Sequence, residues 1–472
     1  MVESVLGVIG LLEASLVEKI INYGLSKGAD FVEIFVEDRF DTRITLIDGR
    51  IDSASSERDF GLGLRLFKED QQVYAYTNDP SEKQLFAMVD RLIEVLETQP
   101  AQFKPMNLTN LDVKNSHIIV LHPLEVSKMD KAKIMKLAYE GAKNYSNLIS
   151  QVVVRYWDYD QRVFIANSEG TMASDRRIKT RLMVTAVASK DGEQESGFYG
   201  PGASMGLEFF NLHDPKDIGA EAARIADRMV RAEHAPAGKM PVVIANEFGG
   251  VIFHEACGHA LEATSVAKGA SVFANKLGQK VAADCVTAVD DGTIPNAWGS
   301  SNIDDEGTPT QRNVLIENGV LKNYLVDRFH AKKMNMKPNG CGRRESYKFI
   351  PTSRMSNTFI MPGKYLPEEI ISATDYGLYA KRMGGGSVHP ATGEFNFAVM
   401  EGYLIEKGRI TKPVRGATLI GKGIEVINNI DMVGNDLARG QGMCGSISGS
   451  VPADVGQPTI RVKELIVGGR KR

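Results

Sequence analysis

The chain has 472 residues, which at roughly 150 residues per domain predicts two or three domains. Hydrophobic residues make up 43% and charged residues 24%, a balance that supports a sizeable buried core in a water-soluble protein. Lysine plus arginine is 56 against 59 aspartate plus glutamate, a net charge of −3, so bulk charge offers no basis for binding nucleic acid or an anionic membrane.

The apolar run Val5 to Leu12 is too short to cross a bilayer and has no basic leading region of the kind a signal peptide needs. A cytoplasmic location is expected by default. Leu12, Leu16 and Ile20, with Val17, Ile21 and Leu25, recur at helical spacing and predict an amphipathic helix closed by Gly28. Strands are expected at Phe31–Glu37, Arg43–Ile47, Gly61–Phe67 and Gln72–Tyr76, with a turn at Asp48-Gly49. Residues 81–97 and 125–145 read as helices, 151–157, 161–167 and 178–189 as strands, and 217–231 as a helix with Ile218, Ala222, Ile225 and Met229 on one face. The run from His234 to Pro241 holds two prolines and a glycine and reads as a linker. Beyond it, glycine is dense and short strands predominate, at Asn313–Ile316, Tyr403–Ile405 and Thr459–Val462. The expected fold is α+β in two domains: residues 1–236 mixed, with antiparallel strands, and 237–472 β-rich, carrying a metal-binding helix.

Residues 254–259 read His-Glu-Ala-Cys-Gly-His. The familiar zinc peptidase signature has two ligand histidines four apart on a helix, with the glutamate between them as general base. A spacing of five separates the two side chains by about 140° on a regular helix, against about 40° for a spacing of four. A π-type turn would bring both imidazoles to one face, and Gly258 is the expected place for the distortion because glycine tolerates unusual backbone angles. A catalytic zinc needs a third protein ligand and one open position. Glu262, three residues beyond His259, is one candidate, and Cys444, in the glycine-rich run Gly440 to Gly445, is the other. Cys257, Cys285 and Cys341 read as small buried residues.

At these residues the sequence resembles the TldD/PmbA proteins, and among them the TldD-like branch, over nearly its whole length. The resemblance is carried by Gly49-Arg50-Ile51 and Ala75 to Asp79 in the first half. In the second it is carried by His254 to Glu262, Asp304 to Pro309, Gly342 to Ser346, Lys412 to Gly421, Met443-Cys444-Gly445 and Ser450-Val451-Pro452. It implies a cytoplasmic metallopeptidase with one Zn2+ per chain (iron is a second option) held by His254, His259 and Cys444, with Glu255 as the base. Glu262 then becomes a candidate to hold an imidazole N–H from behind. The resemblance further implies short or unfolded peptides as substrates, peptide-antibiotic precursors or antitoxins among them. It also implies pairing as a homodimer or with a PmbA/TldE-like subunit that lacks the zinc motif. The family label "modulator of DNA gyrase" finds no explanation in these residues.

The glycine-rich runs around 384–402 and 440–452 predict exposed strand edges, where an extended peptide can add by main-chain hydrogen bonds. Arg343 and Arg344 are candidates to hold a substrate carboxylate, with ordinary ion pairing as the alternative. Asp304-Asp305-Glu306 reads as a solvated turn. Gly416 to Gly423 nearly matches a phosphate-binding loop, but glycine at 423 lacks the hydroxyl that magnesium requires, so a strand and turn are expected there. The competing reading is a non-catalytic interaction or regulatory protein in which the same residues form a closed, structural metal site.

Overall fold

A computed structural model describes residues 12–389 and 392–470. The run Val5 to Leu11 lies outside the described residues. The first helix, α1 (Ala14–Ser26), ends just before Gly28, whose φ of +100° only glycine adopts without strain. The strands that follow are longer than the sequence predicts. β1 (Phe31–Ile47) runs unbroken through Asp38–Thr42, because its charges are met across the sheet. Arg58 grips Asp38 with two hydrogen bonds at 2.7 and 3.1 Å, and Trp157 donates to Asp41 at 2.8 Å. Asp48-Gly49, with φ of +46° and +82°, makes the tight turn into β2 (Arg50–Lys68).

After β3 (Gln71–Thr77) comes α2 (Glu82–Leu96), capped by Ser81, and then α3 (Lys128–Lys143), capped by Ser127. The two strands expected over 151–167 are one, β4 (Ile149–Asn167), followed by β5 (Thr171–Lys190) and β6 (Glu193–Tyr199). α4 (Pro215–Val230) starts with proline in its first turn and Asp214 as cap. The sheet order is β3-β2-β1-β4-β5, with β6 also on β5, and its long strands are antiparallel.

Strand alternation divides the work of this sheet. Val32, Ile34 and Val36 of β1 pack with α1 and α2, and Ile44 and Leu46 pack with α3 and α4, so four helices cover one face. The odd-numbered residues Glu33, Phe35 and Glu37 are buried on the other face, against the second half of the chain. α3 and α4 touch through glycine: a Cβ on Gly219 would lie 1.9 Å from the Ala138 carbonyl oxygen, and one on Gly141 2.1 Å from that of Lys216. Backbone cannot swing aside as a side chain can. Gly219→Ala is therefore expected to lose roughly 1–3 kcal/mol, read as a lowered denaturant midpoint with an unchanged slope.

The expected linker is instead paired structure. Glu233–His234 lie parallel to Val414 and Arg415, and β7 (Gly238–Ile244) begins at once. Pro241 is accommodated at a register shift against the C-terminal strand, where its missing N–H costs no ladder bond. The strands that frame the second half are β8 (Ala288–Asp291), β9 (Arg312–Glu317), β10 (Asn357–Ile360), β11 (Tyr376–His389), β12 (Glu394–Glu406), β13 (Arg409–Arg415), β14 (Thr418–Lys422), β15 (Ala438–Ser446), β16 (Gly449–Gln457) and β17 (Ile460–Gly468), with the short strand Ile430–Val433 and three two-residue pieces between them. β7, β11, β12, β14 and β17 close into a ring through the β11–β12 pairing. A second sheet runs β9-β8-β10-β16-β15, leaving β15 at its edge. After β14 the chain enters a short helix, Gly423–Asn428, rather than the expected turn. The architecture is α+β.

The acidic run 304–306 is not a solvated turn. Asp304, Asp305 and Glu306 are all buried, the last two against cationic groups of the first sheet and Asp304 against backbone N–H groups. Arg65 bridges Glu33 at 2.7 Å and Glu306 at 2.6 Å, Arg177 pairs with Asp305 at 2.5 Å, and Asp304 accepts three backbone N–H bonds.

Candidate metal centre

The motif segment is held between the ring of strands and the second sheet. From β7 the chain turns through Glu247, at φ of +65°, into a helix that changes pitch along its length. Phe248–Gly250 and His259–Leu261 are 3-10 turns, and His254–Gly258 is a π turn in which the His259 N–H reaches back to the His254 carbonyl. The wide turn is thus where the five-residue spacing needs it. The reason for Gly258 is different from the one expected. Its φ and ψ, −57° and −51°, are ordinary helical values. What requires glycine is space, since a Cβ would sit 2.2 Å from the Met355 sulfur.

The two imidazole rings lie 5.2 Å apart, nearly perpendicular. Cys444, on edge strand β15, points between them: its Sγ is 3.1 Å from His254 Nε2 and 3.3 Å from His259 Nε2. One donor atom from each of the three lies within 4.8 Å of the others. His254 and Cys444 are buried, and His259 is partly exposed. Glu255 Oε2 is 3.6 Å from His259 Nε2, with 31% of its side chain open to solvent. Glu262 Oε1 lies 3.2 Å from Nδ1, the opposite ring nitrogen of His259.

Electrostatics in the cluster favour charge separation. Burial pushes the Cys444 thiol up, but His254 and His259 outweigh it and hold the group well below the ordinary thiol range. Burial likewise lowers His259, but Glu262 and the sulfur hold its imidazolium well above the usual histidine value. Cys257 shows the contrast: fully buried and without such partners, its thiol is driven up and unreactive. Cys341 is buried as expected, but Cys285 is exposed, since it sits on a surface turn beside Asp284.

Arg354 was invisible in the sequence because no local pattern marks it. Fully buried, it donates to the Cys444 carbonyl, to Ser448 Oγ at 2.9 Å and to the Gly449 carbonyl at 2.9 Å, while its Nε lies 3.9 Å from Glu262 Oε1. One guanidinium thereby spans the turn that carries Cys444 and the carboxylate behind His259. Glu345 pins the same hairpin by accepting the Ser450 N–H at 2.7 Å. Arg343 and Arg344 stand apart from the three-residue cluster. Arg344 donates to Glu33 at 2.8 Å, and Arg343 to the Met355 and Pro452 carbonyls at 2.5 and 2.8 Å.

Two imidazoles and a thiol converging beside a partly exposed carboxylate define a candidate transition-metal site on an α+β scaffold. Comparison with known proteins narrows this description. Profiles of the PmbA/TldA metallopeptidase domain 1, central domain and C-terminal domain match residues 32–96, 121–230 and 237–469. The chain belongs to the PmbA/TldD metallopeptidase family. It is 36% identical to a Haemophilus influenzae protein named metalloprotease TldD homolog, over 94% of both chains. It is 29% identical to a Saccharolobus solfataricus protein named zinc metalloprotease TldD homolog, over 66% of this chain and 68% of that one. Its fold matches a Thermotoga maritima protein described as a modulator of DNA gyrase, with TM-score 0.80 and 23% identity, covering 96% of this chain and 99% of that one. TldE from Thermococcus kodakarensis matches with TM-score 0.75 and 20% identity, over 96% and 100% of the two chains.

Proposed function

We propose that the protein is a zinc-dependent peptidase in which His254, His259 and Cys444 hold the metal and Glu255 is the general base. The observation that carries this reading is the convergence of Cys444 Sγ on both Nε2 atoms, at 3.1 and 3.3 Å. One thiol sulfur and two imidazole nitrogens, all within 4.8 Å of one another, are a donor set that would suit a zinc ion. The softness of a thiolate with two imidazoles favours zinc, and Fe2+ is the second option.

When bound, such a metal supplies Lewis acidity, polarising the scissile carbonyl and acidifying a water to near neutrality. The chain's own groups do the rest. Glu255, partly solvated and next to His259 Nε2, takes a proton from the attacking water and passes it to the leaving amine. Glu262, at His259 Nδ1, fixes that ring's orientation and tautomer. Arg354 fixes the turn that presents Cys444.

Short or unfolded peptides are the proposed substrates. Among the described residues edge strand β15 makes only a lone strand bridge on its outer side, Glu247 to Arg439, with Arg181 and Trp298 donating to its Gln441 and Gly442 carbonyls, and beyond Ala380 strand β11 pairs with β12 alone. A cavity of about 260 Å³ lies between these two edges, lined by Gly384, Gly385, Gly440, Gly442 and Phe248. Main-chain pairing there would bind an extended peptide with broad sequence tolerance. In the same reading the C-terminal unit starts at residue 237, and the working form is a dimer, with itself or with a TldE-like chain. No helix among the described residues is long and apolar enough to cross a membrane.

The rival, a closed structural site, requires a fourth protein ligand. Among the described residues the cluster holds three, and Glu262 is turned to the far nitrogen of His259. Metal analysis of the purified chain tests the proposal, with an expected content of about one zinc per chain. Hydrolysis of an unstructured peptide should stop with a chelator and return with zinc. Full hydrolysis by metal-free protein would overturn it.

A further inference from the structure

A second cavity, of about 390 Å³, lies on the other side of the β15–β16 hairpin from the candidate metal centre. Met443 lines it while Cys444, the next residue on β15, faces the histidines, as strand alternation requires. Its opposite wall is the helix-free face of the first sheet.

Seven cationic side chains and two carboxylates line this cavity, in a chain whose net charge is −3. Part of the positive charge is answered locally: Arg39 by Asp41 at 2.7 Å, Arg177 by Asp305 at 2.5 Å, Arg344 by Glu33 at 2.8 Å. Three cations are not. Among the described residues Arg155, Lys179 and Arg343 have no carboxylate within ion-pair distance, and exposed Arg43 shares Asp41 at 3.7 Å. Lys179 is buried and donates to Ser204 Oγ, to the Trp298 carbonyl and to the Ser300 carbonyl. Three acceptors use all three N–H bonds of an ammonium, so the geometry calls for the charged form. Yet burial, with Arg343 and Arg177 close by, pulls this amine well below the ordinary lysine range. Arg343, also buried, meets only main-chain carbonyls. Asp454 and Asp175 near Lys179, and Asp305 near Arg343, offset this burial only in part, so an anion in the cavity would favour the charged form of both residues at once. Arg43 and Arg155 are exposed and Lys179 and Arg343 buried, so positive charge runs from mouth to base. Such a gradient draws an anion inward.

We propose that this cavity is a second ligand site, for a small molecule bearing an oxyanion (carboxylate or phosphate), bound by Arg155 and Arg43 at the mouth and by Arg343 at the base, where Lys179, its three N–H bonds already used, adds only the attraction of its charge. The site is separate from the metal centre and does not depend on the peptidase reading.

Calorimetric titration of the purified full chain with inorganic phosphate and, separately, with succinate tests this, chloride holding the ionic strength constant. Saturable binding of one anion per chain is expected. Phosphate alone would identify a phosphoryl ligand, succinate alone a carboxylate, and both the shared oxyanion chemistry. Arg155→Ala, at an exposed position, should weaken binding about tenfold without altering the melting temperature, and Lys179→Met should weaken it further. If Lys179→Met fails to fold, Arg155→Ala and Arg43→Ala still decide the matter. No saturable binding of either anion, or affinities unchanged in Arg155→Ala and Arg43→Ala, would overturn the proposal.

Discussion

Glu255→Gln is expected to keep its metal and lose roughly 10²–10⁴-fold in kcat. The side chain keeps its size and its place beside His259, 3.6 Å from Nε2, but the amide cannot accept a proton. Because Glu255 is not one of the three clustered donors, metal content should match that of the unaltered chain. Metal analysis and kcat on one peptide, measured on the same preparation, check both halves. Full activity in this variant would remove Glu255 from the chemistry. Loss of metal along with activity would make it a ligand, and the closed-site reading would gain.

Cys444→Ser is the second large effect. The substitution preserves shape but replaces a soft sulfur, held well below the ordinary thiol range by His254 and His259, with a hydroxyl that stays protonated near neutral pH. Zinc affinity should fall more than about 100-fold, beyond the 10–100-fold that loss of a supporting hydrogen-bond partner costs. Glu262→Gln is the internal comparison, since of the three clustered residues its side chain meets only His259, at the far ring nitrogen. Competition with a chromogenic chelator separates the two. Equal, small losses in both variants would show that the sulfur is not a ligand.

The sequence made some of this architecture legible and hid the rest for physical reasons. The π turn at His254–Gly258 could be anticipated because a five-residue spacing is incompatible with a shared face on a regular helix. The glycine within it could not be understood, since the Met355 side chain that demands it comes from a segment far along the chain. The acidic run 304–306 looked solvated because its cationic partners Arg65 and Arg177 lie in other strands. β1 looked like two strands because Asp38 and Asp41 break the apolar pattern, and only their cross-strand partners show why they are tolerated. Arg354 carries no local signature at all. Its role exists only when the turn after β15 has folded over it.

That dependence governs when the proposed metal centre can form. The thiol on β15 is 190 residues from His254, and the arginine that seats its turn lies between them. Synthesis must therefore pass Cys444 before sulfur and imidazole can meet, and in the proposed reading a polypeptide that stops short of it carries the motif without its third donor. On the proposed peptidase reading, a chain assembled in this order has no cutting centre while its own unfolded segments are still within reach.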